Sequence, residues 1–159
     1  MNVFIRPFIC SDLNDLLTLT LLAFEPIFIS FEKILGSHIY AIIYPDWQKR
    51  QTEGIEKISQ DNKISLWVAE VDGKVVGYIA FEIYADASAE VQLLAVHPEY
   101  QNRGIGTQLN TFVLQQMKAN GVKLAIISTG GDESHAPARR SYEKAGYTAL
   151  PLVKYYQAL

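Results

Sequence analysis

The stretch Ala89–Gly106, AEVQLLAVHPEYQNRGIG, sets the arrangement of the rest of the chain. Its apolar first half is typical of a buried strand, which His97-Pro98 ends, and from Ile105 onward apolar residues recur at helical spacing. The residues between them form a glycine-rich loop that opens a helix. The first N–H groups of a helix have no partner within it, and the helix dipole adds partial positive charge there. The loop therefore predicts a binding site for a phosphate or pyrophosphate.

Three kinds of nucleotide-binding loop fit this outline, and residue identity separates them. A Walker loop needs a lysine directly after its last glycine, where Thr107 stands, and a dinucleotide fingerprint needs a third glycine where Leu109 stands. The third kind fits, because Gln101–Gly106, QNRGIG, matches the Q/R-x-x-G-x-G/A signature of the GCN5-related N-acetyltransferases. The chain resembles that superfamily, which is abbreviated GNAT.

A second motif supports the resemblance. Residues 138–147, ARRSYEKAGY, are similar to the A-x-x-x-Y-E-K-x-G-F/Y helix and following strand of the family, at the separation that the family shows. The chain departs from the pattern at His135, where the family often has an asparagine that contacts the pantetheine arm or caps the helix. The resemblance implies an α/β (α+β) acyl-CoA N-acyltransferase fold, with a mixed, mostly antiparallel central sheet flanked by helices.

The remaining sequence predicts elements in an order that agrees with this fold. Asp72-Gly73 is a dipeptide favoured in two-residue hairpin turns, and a helix between two successive strands makes those strands parallel. The predicted elements, in chain order, are a strand over 3–8, a helix from Ser11 or Asp12 to about Phe24 that Pro26 breaks, a short helix over 27–35 ended by Gly36, a helix within 40–61, strands over 64–70, 74–83 and 91–96, a helix from Ile105 to Asn120-Gly121, a parallel strand over 124–129, a helix from about Pro137 to Gly146, and a strand region broken near Pro151.

Length and composition limit the class of protein. The 159 residues, 49% of them hydrophobic, are enough for one sizeable core, so residues 1–159 are expected to form one domain. A net charge of −3 without a basic block argues against binding to nucleic acid or to an acidic membrane surface. The most apolar run, 16–35, is interrupted by charged residues and by Pro26, so no membrane-spanning helix is expected.

The single cysteine also bears on location. Cys10 excludes an internal disulfide framework and a cysteine-rich metal site, and it is expected to be a small buried apolar residue. The N-terminus shows none of the features of an export signal. We therefore expect a cytoplasmic protein in a reducing compartment.

The resemblance implies acetyl-CoA as cosubstrate. In the family, backbone groups equivalent to Leu94–Val96 pair with the pantetheine arm like an added strand, and the N–H of Val96 faces the thioester oxygen. The candidates for cofactor binding are Leu94, Ala95, Val96, Gln101, Asn102, Arg103, Gly104, Ile105, Gly106, Thr107 and His135.

Two catalytic candidates follow from the same resemblance. Tyr142 stands where family members hold a hydroxyl near the CoA sulfur, and it would protonate the leaving thiolate; the alternative is a buried ring whose hydroxyl meets a backbone carbonyl. Glu90 stands where some members carry a general base, acting directly or through water, although an exposed glutamate at a strand end is common. His135, together with Asp132 or Glu133, is an alternative base, as is bulk water.

The leading hypothesis is an N-acetyltransferase that moves the acetyl group of acetyl-CoA to a primary amine of a small molecule or peptide by direct attack in a ternary complex, without a metal. The alternatives are a catalytically silent CoA-binding regulator and an acyltransferase that uses a longer acyl-CoA. Aromatic and acidic residues between Ala23 and Trp47 either line a pocket for a cationic acceptor or are ordinary core and helix-surface residues. The oligomeric state stays open, with a homodimer as one alternative.

Overall fold

The computed structural model describes Met1–Leu159 and contains one five-stranded sheet with the strand order β1-β2-β3-β4-β5. Neighbouring strands are antiparallel from β1 to β4, and β5 is parallel to β4. The predicted fold class is therefore confirmed. The strands are β1 (Phe4–Pro7), β2 (Ile64–Val71), β3 (Lys74–Ile83), β4 (Ser88–Val96) and β5 (Leu124–Ile127), and the helices are α1 (Leu13–Ile43), α2 (Trp47–Gln60), α3 (Ile105–Ala119) and α4 (Ala136–Lys144).

The sheet has an apolar cluster on each face. On one face, α3 buries Ile105, Leu109, Val113 and Met117 against β3 and β4. On the other face, α1 and α2 bury side chains that include Leu16, Leu19 and Ile55. Burial of apolar side chains on both faces supplies most of the free energy that holds the helices to the sheet.

A buried polar contact fixes α1 against the centre of the sheet. The hydroxyl groups of Thr20 on α1 and Tyr78 on β3 lie 2.8 Å apart, and the Thr20 hydroxyl also lies 2.6 Å from the backbone oxygen of Leu16. Both side chains are fully buried, and burial raises the pKa of Tyr78 well above its ordinary value. Since an unpaired buried hydroxyl is costly, this contact favours one position of α1 on the sheet.

The prediction that Pro26 ends the first helix is wrong. Helix α1 runs through Pro26, and its backbone departs from helical geometry only at Gly36, where φ is +75° and ψ is 154°. Proline inside a helix removes one hydrogen bond and costs about 3 kcal/mol. Leu16 and Leu19 before the proline and Phe28 after it are all buried, so packing on both sides keeps the helix continuous.

Three further expectations differ from the structure. The predicted C-terminal strand is absent, because residues 145–159 contain neither helix nor strand. Cys10 is exposed rather than buried, since it lies in a short 3₁₀ turn, Cys10–Asp12, between β1 and α1. Asp12 does not cap α1 with its side chain; its carboxylate instead accepts the N–H of Ile9 at 2.9 Å and pairs with the guanidinium of Arg6 at 2.8 Å.

Helix α1 also passes a length and composition test for a membrane span. The region Cys10–Ile43 contains a window with a mean hydropathy of 1.4, and 22% of that window is buried within the structure. In the folded chain α1 contacts α2, β3 and β4. It serves here as the helix that covers one face of the sheet.

Candidate active site

Strand β5 pairs along its whole length with the first part of β4, and the rest of β4 has no neighbouring strand on that side. Their pairing runs from Ser88 and Leu124 to Val91 and Ile127 and then stops. At the same point β4 carries a bulge, because Val91 and Leu93 pair with consecutive residues of β3 and Gln92 has no partner there. A bulge bends its strand, so β4 diverges from β5 and its edge from Gln92 to Val96 is left without a neighbouring strand.

The signature loop ends beside this open edge. Asn102 and Gly104 have positive φ values of 59° and 80°, and Gly104 is the residue that precedes α3. The N–H groups of Ile105, Gly106 and Thr107 donate to no backbone carbonyl, and no side chain caps the helix. Free N–H groups, a loop with left-handed residues and the positive end of a helix dipole together form an anion-binding concavity.

A cleft of about 350 Å³ joins the loop, the end of β4, α1 and α4. All of the predicted cofactor-binding residues line it except Arg103, whose guanidinium lies 5.4 Å from the centre of the Tyr100 ring. The predicted residues that line the cleft are Leu94, Ala95, Val96, Gln101, Asn102, Gly104, Ile105, Gly106, Thr107 and His135. Gln101 also donates its side-chain amide to the backbone oxygen of Val96 at 2.9 Å, which ties the loop to the strand.

His135 is the titratable group of the cleft with the most defined partners. Its Nδ1 lies 2.5 Å from Oδ1 of Asp132, and its ring stacks on Phe31 of α1 at 5.7 Å. Although burial acts to raise it, hydrogen bonds from Ser134, Ser30 and His135 lower the pKa of Asp132 to about 2. An ionised carboxylate only accepts hydrogen bonds, so Nδ1 carries a proton, and in the neutral form of the imidazole Nε2 is the nitrogen with the free lone pair.

The backbone of Gly130 and the side chain of Arg139 hold this pair in place. A Cβ atom at Gly130 would lie 2.5 Å from both Oδ1 of Asp132 and Nδ1 of His135, so only glycine fits behind them. Arg139 donates from one nitrogen to the backbone oxygens of Gly130 and Asp132, both at 2.7 Å. Ser30 of α1 donates to Oδ2 of Asp132 at 2.8 Å, which connects the loop to the helix across the cleft.

Glu90 lies outside the residues that line the cleft. It pairs with Glu82 of β3 and with Ile126 of β5, on the sheet face opposite to the buried Ala89 and Val91. The Tyr84 hydroxyl donates to Oε2 of Glu90 at 3.3 Å. Desolvation is the largest cause that raises the pKa of Tyr84, and the negative charges of Glu90 and Glu82 raise it further.

Tyr142 lies on α4, is half-buried, and is not among the residues that line the cleft. Burial raises its pKa, and a hydrogen bond with Thr129 acts in the opposite direction. The ring of Tyr147 lies 6.2 Å from that of Tyr142, and its buried hydroxyl has no hydrogen-bond partner. Burial raises the pKa of Tyr147 to about 12, so both hydroxyls are protonated at neutral pH.

The structure adds cleft residues that the motifs do not indicate. Arg140, Ser141 and Lys144 line the cleft from α4, at spacings of three and four residues that place them on one helix face. The sequence signal for these residues is the pair of positive side chains, Arg140 and Lys144, four positions apart in the motif that begins at Ala138. Ala23, Phe24, Pro26 and Ile27 line it from α1, because the helix continues through the proline.

The aromatic residues between Ala23 and Trp47 divide into two groups. Phe28 is buried and stacks on Trp47 at 4.3 Å, so it is a core residue. Phe31 and Tyr44 are only half-buried and stack on each other at 5.5 Å, next to His135. Phe31 is therefore the aromatic residue of this region that contacts His135.

Solved structures share this fold. The PaiA N-acetyltransferase from Thermoplasma acidophilum, in complex with coenzyme A, superposes with a TM-score of 0.70 at 21% identity. The likeness covers 93% of this chain and 91% of that one. At this identity it shows a common fold.

Sequence relatives point the same way. A mycothiol acetyltransferase of Thermomonospora curvata is 31% identical over 93 residues, which are 58% of this chain and 31% of that protein. An N-alpha-acetyltransferase of Sulfurisphaera tokodaii is 32% identical over 114 residues, 62% of this chain and 65% of that protein. The chain thus spans about a third of the length of the first relative and about two thirds of the second. The model of the acetyltransferase (GNAT) family matches residues 35–147, and because this is most of the chain, the chain belongs to the GNAT family.

Proposed function

We propose that the chain is an N-acetyltransferase that transfers the acetyl group of acetyl-CoA to a primary amine of a small molecule or peptide, by direct attack in a ternary complex. The observation that carries the proposal is the cleft in which three free N–H groups of α3 adjoin the unpaired edge of β4 and the His135–Asp132 pair. Family membership supports the same activity.

The residues of the cleft fit acetyl-CoA, which supplies an acetyl thioester when bound. The N–H groups of Ile105–Thr107 would hold the pyrophosphate, and Arg140 and Lys144 of α4 add positive charge to the same cleft. The backbone of Leu94–Val96 would pair with the pantetheine arm, as β-strand addition does in other complexes. Gly106 supports this fit, since a Cβ there would lie within 3.5–3.9 Å of Ser141, Leu94 and Val96, all of which line the cleft.

We assign proton acceptance from the incoming amine to His135. Asp132 holds its Nδ1, so Nε2 is the acceptor, and the imidazole lines the cleft. This is the arrangement by which a carboxylate fixes the tautomer of a catalytic histidine. Glu90, the base suggested by the resemblance, stays a candidate that would act through water. Its carboxylate accepts a hydrogen bond from Tyr84, and it is not among the residues that line the cleft.

Tyr142 is the proposed proton donor to the thiolate. Its pKa is raised by burial, which keeps the hydroxyl protonated at neutral pH as a donor must be. A thiolate with an ordinary pKa of about 8.5 needs only modest assistance to leave. Tyr142 is therefore expected to accelerate the reaction without being indispensable.

We propose that the acceptor is an amine that is protonated, and therefore cationic, before it reacts. Phe31 stacks on His135, and Tyr44 stacks on Phe31, so aromatic faces lie beside the histidine. A carboxylate is also near, because desolvation raises the pKa of Tyr40 and the charge of Glu32 raises it further. Aromatic rings and carboxylates both favour an ammonium group. Proteins similar to this chain include a mycothiol acetyltransferase and a ribosomal-protein-alanine N-acetyltransferase, so both small molecules and peptides are reasonable acceptors.

The test is an amine panel assayed with acetyl-CoA, in which the free thiol is measured and corrected for hydrolysis without amine. Amine-dependent release of CoA is the expected result. A chain that acetyl-CoA stabilises but that releases no CoA with any amine would instead be a CoA-binding regulator. Faster turnover of propionyl- or succinyl-CoA would assign a longer acyl donor. Cytoplasmic location and a single domain over residues 1–159 also stay proposals.

A further inference from the structure

The C-terminal segment, residues 148–159, contains neither helix nor strand, but it contacts the folded chain near the end of α1. Its two neighbouring tyrosines differ, because Tyr155 is 88% exposed and Tyr156 is 36% exposed. Tyr156 lies beside Tyr44, the residue that follows α1: desolvation is the largest cause that raises the pKa of Tyr44, and Tyr156 raises it further. Tyr156 is therefore the tyrosine that attaches the segment to the fold.

Lys154 carries a positive charge to the same place. Its Nζ lies 5.0 Å from the centre of the Tyr156 ring, which is within the range of a cation–π interaction. The charge also reaches Tyr44, because it lowers the pKa of that tyrosine against the larger effect of desolvation. A primary ammonium group of the chain itself therefore lies beside Tyr44 and Tyr156.

These tyrosines continue a series of rings that begins at the proposed base. Phe31 stacks on His135 at 5.7 Å and on Tyr44 at 5.5 Å. The ring of Tyr40 lies 5.6 Å from that of Tyr44, so Phe31, Tyr40 and Tyr44 together form an aromatic wall. Under the proposed function this wall attracts the ammonium group of the acceptor, and Lys154 is attracted to the same rings.

We propose that the C-terminal segment is an autoinhibitory strap, in which the ammonium group of Lys154 occupies the aromatic wall until a protonated amine displaces it. Tyr156 holds the strap against Tyr44. The proposal rests on the proposed function, and it adds that the chain contains a competitor of its own acceptor. Only an amine that binds the wall better than a lysine side chain would then reach His135 and be acetylated.

A competitor that is tethered to the fold acts through weak contacts. A group on a short flexible linker has an effective concentration on the order of millimolar, so one cation–π contact and one tyrosine pair suffice to hold the strap for much of the time. The segment takes part in no backbone–backbone hydrogen bond after the N–H of Tyr147 donates to the oxygen of Tyr142. Displacement of the strap therefore breaks no helix or strand.

The first test asks whether the segment is held to the fold, and it needs no turnover. Heteronuclear NOE values of the backbone amides are measured by NMR on the full chain, on Tyr156→Ala and on Tyr155→Ala, which is the matched control. Residues 154–157 should have values close to those of the helices in wild type and in Tyr155→Ala, and the low values of a free chain end in Tyr156→Ala. Low values in wild type, or high values in Tyr156→Ala, would overturn the proposal.

The second test asks whether an ammonium group competes with the strap. The probe is n-butylammonium, which matches the lysine side chain, and the control is butan-1-ol, which has nearly the same size and no charge. Butylammonium should lower the NOE values of residues 154–157 at concentrations at which butanol does not. An equal response to both compounds, or no response to butylammonium while the fold stays intact, would contradict the competition.

The third test measures competition during turnover, with the amine that releases CoA fastest. Lys154→Met should lower KM for that amine about two- to fivefold, the equivalent of one exposed cation–π contact, and leave kcat unchanged. Lys154→Arg keeps the charge and Lys63→Met removes another exposed lysine, so both should keep the wild-type KM. An unchanged KM in Lys154→Met would refute the strap. If no amine releases CoA, the proposed function fails, whereas the strap stands or falls on the two NOE experiments.

Discussion

Replacing Gly106 by valine should remove acetyl-CoA binding without destabilising the fold. An added Cβ would meet its nearest neighbour, Oγ of Ser141, at 3.5 Å, which is an ordinary contact. Gly106 has helical backbone geometry at the start of α3, where valine and glycine differ in propensity by less than about 1 kcal/mol. The free energy of unfolding should therefore change little, while the two valine methyl groups extend into the cleft.

The expected magnitude follows from linkage. At a hundredfold excess over Kd, a ligand that binds only the native state stabilises it by about 2.7 kcal/mol. For a chain of this size that raises Tm by about 5–10 °C. If Kd rises at least a hundredfold in Gly106→Val, the stabilisation at the same concentration falls to about 0.4 kcal/mol, a shift near 1 °C.

The assay is a thermal shift titration with acetyl-CoA on wild type, Gly106→Val and Gly106→Ala. The alanine variant is the control, because the signature admits alanine at this position and a single Cβ fits. Gly104→Ala is a poorer probe, since Gly104 has a φ of 80° and a side chain there adds about 1–2 kcal/mol of strain. An equal Tm shift in wild type and Gly106→Val would show that the anion binds elsewhere.

Three further predictions concern the chemistry. Tyr142→Phe should lower kcat about 10- to 1000-fold with little change in acetyl-CoA affinity, and an unchanged kcat with stability lowered by roughly 1 kcal/mol would mean that the hydroxyl only supports the fold. His135→Gln should lower kcat/KM about 100-fold or more and Glu90→Gln less than threefold, with activity of the His135 variant partly restored at high pH as the free amine fraction grows; the reverse order would assign the base to Glu90. The pKa of Asp132, about 2 against an ordinary value of 3.8, contributes about 2 kcal/mol of stability that is present above pH 4 and lost as pH falls toward 2, so acid unfolding of Asp132→Asn should lack this component.

Local patterns predicted the parts of the site that depend on backbone chemistry. The signature loop, its glycines and the strand before it follow from turn geometry and hydrophobic periodicity, and these residues line the cleft as their order suggested. The same reasoning failed at Pro26, because the local cost of a proline was outweighed by packing of α1 on both sides of it. Tertiary contacts of that kind leave no local trace in a single sequence.

The His135–Asp132 pair could be predicted only in part from the sequence. His135 with Asp132 or Glu133 was one of several alternatives for the base, and His135 and Asp132 stand three positions apart in a predicted loop. Their contact with Ser30, which is far away in the chain, and the tight approach of Gly130 depend on how the loop meets α1. The C-terminal segment was predicted as a strand region broken near Pro151, but its backbone makes no hydrogen bond to a neighbouring strand.

The bulge at Gln92 makes the length of β4 as important as its composition. Val91, Leu94 and Val96 all pack toward α3, although a regular strand would turn Val91 to the face opposite to Leu94 and Val96. Removing Gln92 alone would make Val91 and Leu93 neighbours that pair with the consecutive residues Phe81 and Ala80, so the side chains from Leu93 to Val96 would keep their present faces. A deletion at the bulge is therefore expected to be less damaging to the core than a deletion elsewhere in the strand, where the side chains that follow would change faces.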